Sequence, residues 1–496
     1  MRQFEVGWNL GRSDRVWTRR FGWAAAWTSV AALWAPLPSH AQNGDSSPSR
    51  QEIVERLDEQ EAELKRLRAR LSELEPAITD PPLPVLAPES REAAIACDGP
   101  SSAHDRDVAQ AAKKAANDKW TVKLGGHVQL DYIDWADTDG IAGAEDYFNY
   151  RRLRLVADGT GYEQFDFRLQ LTLEPGQGSN DSPLASPDVK DAYLSMNEIP
   201  GIGRIRIGNF FVPFSLEQVT NDTNNLYSER AIPTQGVFAA DREVGIALYN
   251  STEAKDITWA AGLFFDDLSD TYKARFGDQQ GYRLSGRLTG LLYYDEASEG
   301  RYLVHTGIGV LHTRDYDDTV RFRARPQVQR GPIMIDSGNL AADTYTTGNL
   351  ELAVVWGEIT VQNEAFLCGV DMLSGDTVQV GGAYSHVSYF LTGENRIFER
   401  FGQHGAQFGR AKPYVNFSMR PGQWGWGAWE AKARWSYLDL DNVTAGRYHD
   451  LTAGFNWYWS DRTRVMFDWI HPITSSETVV GSTESDLLAM RFDFNW

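Results

Sequence analysis

The chain has 496 residues and a formal net charge of −20, which excludes a nucleic-acid surface, because that needs a basic footprint. A mean hydropathy of −0.43 excludes a bundle of membrane helices, whereas 17 Trp and 44 Gly suit a sheet-rich protein with many turns. Two cysteines, Cys97 and Cys368, give neither a disulfide framework nor a metal-ligand spacing; they pair in an oxidising compartment or stay as two thiols, and no metal or cofactor is expected.

The N-terminus carries an address. Arg2, Arg12, Arg15, Arg19 and Arg20 precede the apolar run FGWAAAWTSVAALWAPL, and SHA at 39–41 fits a small-residue cleavage site. Residues 1–41 therefore read as a secretory signal peptide, since the run is too short for a spanning helix and Pro36 and Pro38 end it. Residues 42–75 read as a polar stretch followed by a coiled coil. Ile53, Leu57, Leu64, Leu67, Leu71 and Leu74 follow a 4-3 seam broken at Gln60, with Glu and Arg elsewhere; a solvated single helix is the alternative. Residues 76–119 form a Pro-rich spacer, PAITDPPLPVLAPES, and a short Ala/Lys-rich helix.

From Trp120 the period changes to two. In TVKLGGHVQLDY, Val122, Leu124, Val128, Leu130 and Tyr132 oppose Lys123, His127, Gln129 and Asp131; YEQFDFRLQLTLE and HDLTAGFNWYW repeat the alternation. Turn clusters such as DTDG, NEIPG, YDEASEG and WSDRT separate such runs. About 16 to 18 strand candidates fall between 120 and 496, with RFRARPQ and RIRIGN the doubtful ones, which matches the spacing of an outer-membrane barrel. Aromatics at strand ends (Trp135, Trp259, Trp424, Trp426, Trp457, Trp459, Trp469) fit membrane girdles. The final run, LLAMRFDFNW, keeps Leu488, Met490, Phe492, Phe494 and Trp496 on one parity, as a closing strand requires, with Arg491 and Asp493 facing the lumen. The expected fold is an all-β transmembrane barrel of 16 antiparallel strands over 120–496, preceded by the helical coiled-coil segment.

The strings RIGNFFVPFSLEQ, YSERAIP, DREVGIALYN, SYFLTGENR, GAWEAKARWSYLDL and RYHDLTAGFNWYWSDRTRVMFDWIHP resemble the phosphate-selective porin O/P family over the whole region from about 120 to 496. The resemblance implies a trimeric outer-membrane porin passing small anions such as phosphate or polyphosphate. It also implies that the loop from about Phe211 to Asp241 folds into the barrel and narrows it, carrying Glu217, Asp222, Glu229 and Arg230; a solvated external loop is the alternative.

By parity, the cations facing the lumen are Arg152, Arg154, Arg168, Arg204, Arg206, Arg283, Arg287, Lys432 and Arg434. Such a ladder of guanidinium groups would replace water around phosphate with charge-assisted bonds, although charged walls also pair Arg with Asp merely to hold water. One feature opposes anion preference. Residues 1–120 hold 16 basic and 18 acidic side chains, so 32 against 50 remain and the barrel region stands near −18. A general or cation-preferring porin is therefore the competing function. A barrel lipase would need a triad built from His305, His386 and Ser388, and no G-x-S-x-G frames them. A soluble carbohydrate binder would use Trp424, Trp426 and Trp429 as a stacking platform. The coiled coil over 51–75 would bundle at a trimer axis and reach the cell wall through the Pro-rich spacer.

Overall fold

The computed structural model describes residues 120–138, 140–174, 188–265 and 281–496. The signal peptide, coiled coil, Pro-rich spacer and Cys97 lie outside the described residues, as do Asp266, Asp267 and Asp270.

Sixteen long strands form one antiparallel sheet closed on itself. In chain order they are β1 (Thr121–Asp137), β2 (Tyr147–Gly161), β3 (Phe165–Thr172), β4 (Asp188–Ile199), β5 (Gly203–Phe211), β6 (Arg242–Ser251), β7 (Ile257–Phe265) and β8 (Tyr282–Tyr294). They continue with β9 (Tyr302–Arg314), β10 (Leu340–Trp356), β11 (Ile359–Met372), β12 (Thr377–Phe390), β13 (Ala428–Asp439), β14 (Arg447–Tyr458), β15 (Thr463–Thr474) and β16 (Asp486–Asn495). Each pairs with its sequence neighbour, and β16 pairs with β1, so the ladder has no free edge. Of the two doubtful segments, RIRIGN belongs to β5, whereas RFRARPQ contributes only the two-residue bridge Arg323–Ala324 with Ile335–Asp336 inside a loop.

The alternation sorts side chains as parity requires. Leu124, Ile308, Leu350 and Leu367 stand on the outer surface, while Gln129, Arg206, Glu351 and Asp493 are buried inside. A continuous apolar exterior of this kind is stable only against hydrocarbon, and lipid in turn forbids an open sheet edge. One girdle assignment changes. Trp135 is buried within the barrel beside Ile133, Val328 and Leu487, because its parity follows inward-facing Asp131.

The largest apolar cluster lies inside the barrel. Phe214, Ile232 and Phe238 of the loop 212–241, with Phe322, Met334 and Ile335 of the loop 315–339, pack on Phe366, Val380, Tyr384 and Tyr448 of the inner wall. Two long loops are thus held in the lumen by burial of their own apolar side chains. Cys368 belongs to the same cluster as a buried thiol.

The seam depends on Gly125 and Gly126, and a Cβ on Gly125 would stand 2.7 Å from the Trp496 carbonyl oxygen. Trp496 donates its backbone N–H to the Gly126 carbonyl at 3.1 Å, and its ring lies where a Cβ on Gly126 would stand, 2.5 Å away. A Cβ there would also meet the Arg154 carbonyl at 2.4 Å. Gly126→Val should therefore destabilise the barrel by about 1–3 kcal/mol or prevent closure. Gly290→Ala, whose added methyl meets open space, should leave it unchanged. Heat-modifiable gel migration and urea unfolding in liposomes check both.

Candidate functional site

The loop 212–241 enters the lumen from β5 and closes on itself at its neck, where the Val212 N–H donates to the Asp241 carbonyl at 3.1 Å. Pro213 and Phe214 stand at this entry. The Pro213 carbonyl accepts from Ser285 Oγ at 2.7 Å, and Phe214 packs against Phe366. One helical turn follows, Leu216–Val219, capped by Ser215, which adopts φ 64°. The wall completes the cap. The Glu364 carboxylate of β11 accepts from the N–H groups of Leu216 (3.0 Å) and Glu217 (2.8 Å), while Tyr384 Oη and Asn349 Nδ2 orient it. At the other end of the turn, Arg230 donates to the carbonyls of Glu217, Gln218 and Thr220.

Three carboxylates of this loop were expected to line a constriction, and each meets wall cations. Asp222 lies 3.1 Å from Arg152, 2.9 Å from Arg154 and 3.0 Å from Arg230. Glu229 is held by Arg151 and by Arg491 at 2.8 Å. Glu217 accepts from the Ala231 N–H at 3.0 Å and faces Arg434 at 3.4 Å. Burial alone would push the Asp222 carboxyl up, but the surrounding guanidiniums of Arg152, Arg230, Arg154 and Arg242 overcome it and hold the group well below the usual carboxylate range. Glu229 is depressed for the same reason by Arg151 and Arg491. Glu217 goes the other way, since its burial outweighs Arg434.

Further wall groups grip the loop backbone. Lys432 donates to the Leu226 carbonyl at 2.9 Å and pairs with Asp468 at 2.6 Å. Asp468 accepts from the Ser228 N–H and hydroxyl. Arg434 donates to the Glu229 carbonyl and Arg464 to that of Asn225.

A second segment, unrecognised in the sequence, enters from the opposite end. The connection 391–427 between β12 and β13 leaves the short-turn rim and places residues 396–409 in the lumen. There the hairpin Phe398–Gly402 with Gly405–Phe408 meets the first loop. Arg396 donates to the Asn224 carbonyl at 2.8 Å, and the Phe408 N–H reaches Thr220 Oγ1 at 3.3 Å. The remaining wall cations attend largely to this insert. Arg168 pairs with Asp158 at 3.2 Å and reaches Gln403. Arg204 donates to the carbonyls of Gly402 and Gln403, and Arg206 lies over the Tyr193 ring beside His404. Arg287 forks onto Glu351 and donates to the Ala406 carbonyl. Arg283 pairs with Glu243 on the inner wall.

All nine cations chosen by parity thus face inward, and each is engaged. Parity missed Arg151. A β-bulge follows the Gln129↔Arg152 pair, leaving Arg151 unpaired in the ladder and letting two consecutive arginines face the lumen. Parity also left Glu364, Asp468 and Arg464 unassigned, because a strand pattern names the inner face but not which loop crosses it.

Beside the insert, at the short-turn end, a cavity of about 440 Å³ remains. Lys123, Arg204 and Arg206 line it with Asp158, Asp166 and Gln403. The residues considered for a lipase, His305, His386 and Ser388, are all buried on the inner side, and His305 is spent on Glu351 at 3.0 Å, so these three do not stand at the lipid rim.

The model of the family "Phosphate-selective porin O and P" matches residues 122–496. The chain belongs to that family. The porin is 25% identical over 445 residues to an uncharacterized protein of Caulobacter vibrioides, covering 82% of this chain and 83% of the relative. Among solved structures it is similar to a loop L8 deletion mutant of OmpT, an outer membrane protein of Vibrio cholerae (10% identity, TM-score 0.48, 76% of this chain and 99% of the other). It is also similar to the anion-selective porin of Comamonas acidovorans (12% identity, TM-score 0.47, 76% of this chain and 100% of the other). The porin is an outer-membrane β-barrel channel.

Glu364→Ala should strip two buried N–H groups of their acceptor and loosen the loop by about 1–3 kcal/mol for each orphaned donor. Faster proteolysis within 212–241 of the liposome-embedded porin is the readout. The acid response should be late. Because Asp222 and Glu229 are held down in the folded protein, their stabilisation is present above the ordinary carboxylate range and is lost only as pH falls through the depressed values. Difference infrared spectra against Asp222→Asn/Glu229→Gln should show these two carboxylates still ionised at about pH 4, where free carboxylates already titrate, and protonated only in stronger acid.

Proposed function

We propose that this porin is a passive, water-filled channel for small anions of phosphate size, assembled as a homotrimer, with its short turns facing the periplasm and its long loops the exterior. The observation that carries this reading is the cavity beside the second insert. There Lys123 and Arg204, with the almost fully buried Arg206 behind them, line a cavity in which Asp158 and Asp166 are the carboxylates. Ammonium and guanidinium donors arranged around water exchange hydration for charge-assisted bonds, and their engagement with protein partners keeps each contact weak enough to release the ion. The phosphate selectivity after which the family is named agrees with this reading.

The acidic surplus favours a cation-preferring channel. Asp315, Asp317 and Asp318 stand at the long-loop end, as do Asp439 and Asp441, the latter two paired with Arg447. Carboxylates at that mouth and cations at the other put the two signs at different depths, and a narrow, low-dielectric passage weighs the nearer charges more heavily.

Reversal potentials across a salt gradient in planar bilayers decide between the two. Anion preference, with phosphate blocking chloride current, is the expected result; a clear cation preference overturns it. In the Lys123→Gln/Arg204→Gln double variant the reversal potential should move in the cation direction. Phosphate block should weaken about tenfold, the effect of losing about 1.4 kcal/mol of contact.

A further inference from the structure

The connection 391–427 does not stay inside. After the lumenal residues 396–409 the chain crosses the rim, where Arg410 is pinned to the Asp461 carbonyl, and folds into a second small hairpin on the outer side. Ser418 and Gly425 exchange both backbone hydrogen bonds, at 3.0 and 2.9 Å. The Phe417 N–H donates to the Trp459 carbonyl at 2.7 Å, and Trp457 Nε1 donates to the Trp426 carbonyl at 2.8 Å. The Phe417 ring stands 4.9 Å from Trp457, which stacks on Trp429; Trp459 in turn meets Phe492. All four of those rings belong to the outward-facing band, so the hairpin continues the lipid-facing surface.

Its own apolar side chains have nothing over them. Val415 is 60% exposed, Met419 65%, Trp424 59% and Trp426 65%, an uncovered patch larger than single scattered residues would make. The charge pattern is equally one-sided. In a chain of net charge −20, the stretch 410–427 holds Arg410, Lys412 and Arg420 and no carboxylate. Tryptophan with arginine and lysine is the composition that settles at the boundary between acyl chains and phosphate headgroups.

We infer that the hairpin 414–426 is an interfacial anchor, seated in the phospholipid headgroup layer at the short-turn end, which holds the lumenal residues 396–409 in place from outside the barrel. The two halves are one continuous segment, so a pull that lifts one from its seat must lift the other. The membrane therefore helps to set how far the channel is filled.

The test uses the full chain with Cys97→Ser and Met419→Cys carrying a spin label, reconstituted in liposomes of phosphatidylcholine and phosphatidylglycerol; Cys368 is buried in the folded barrel, and the chain without Met419→Cys serves as the labelling blank. Collision with molecular oxygen, which concentrates in lipid, is compared with collision with a water-soluble nickel chelate. The expected oxygen-to-nickel ratio is several-fold above that of the same label at Ala297→Cys, in the exposed turn 295–301 of the same rim. A ratio equal to that control places the hairpin in water and overturns the proposal. Shielding from both reagents means that a second protein surface covers it, and overturns it as well. The coupling is read separately in Trp424→Ser/Trp426→Ser, which leaves every lumenal residue intact. Increased conductance fluctuation with unchanged heat-modifiable migration is expected. Conductance identical to the wild type, in a barrel that still closes, overturns the coupling.

Discussion

Arg491 joins three distant parts of the chain. It forks onto Asp131 at 2.6 Å across the closing seam, reaches Glu229 at 2.8 Å, and donates to the Ser228 carbonyl. Asp131 and Arg491 are direct cross-strand partners, so this pair sits on the ladder that turns a sheet into a barrel. A buried pair of this kind adds little net stability compared with apolar side chains of the same size, yet losing one member strands the other at a cost of about 3–5 kcal/mol. Its value is selective. It makes one register of the seam and one position of the loop far better than their neighbours.

The same logic organises the rest of the lumen. Lipid outside forces the apolar parity outward, so the polar parity must be enclosed, and enclosed charges must find partners. The chain supplies those partners from two sides, with the loop 212–241 from one end and residues 396–409 from the other. Loop carboxylates and carbonyls therefore answer wall cations, and wall carboxylates such as Glu364 and Asp468 answer loop N–H groups. A lumen built in this way is an electrostatic interior as much as a passage. What remains accessible is decided by which cations the inserts leave facing water.

The barrel was legible in the sequence because a two-residue period is a direct image of a wall with lipid on one side. Arg152, Arg206 and Arg434 could be placed inward from Leu153, Ile207 and Trp435 alone. The loop 212–241, which lies inside the barrel, stood out through its length and the resemblance of RIGNFFVPFSLEQ. Three things escaped. Arg151 did so because a bulge breaks the period on which parity depends. Trp135 looked like a girdle residue, yet its register carries it inside to meet Val328 of a loop. The lumenal residues 396–409 carry no regular alternation, and their burial arises from contacts with Asn224 and Thr220, far away in the chain, that no local pattern encodes. Partnership between distant segments is a tertiary property, and it is the part of the site that the linear code leaves implicit.

The contact between Phe408 and Thr220 also says something about time. One partner belongs to the segment after β5, which Arg464 and Arg491 tie to the last two strands, and the other to the segment after β12, which leans on the first. Neither insert has its full set of partners until the final strand has arrived. Closure of the wall and filling of the channel are therefore a single cooperative event, and a chain still open at its seam is also a chain with an unfinished pore.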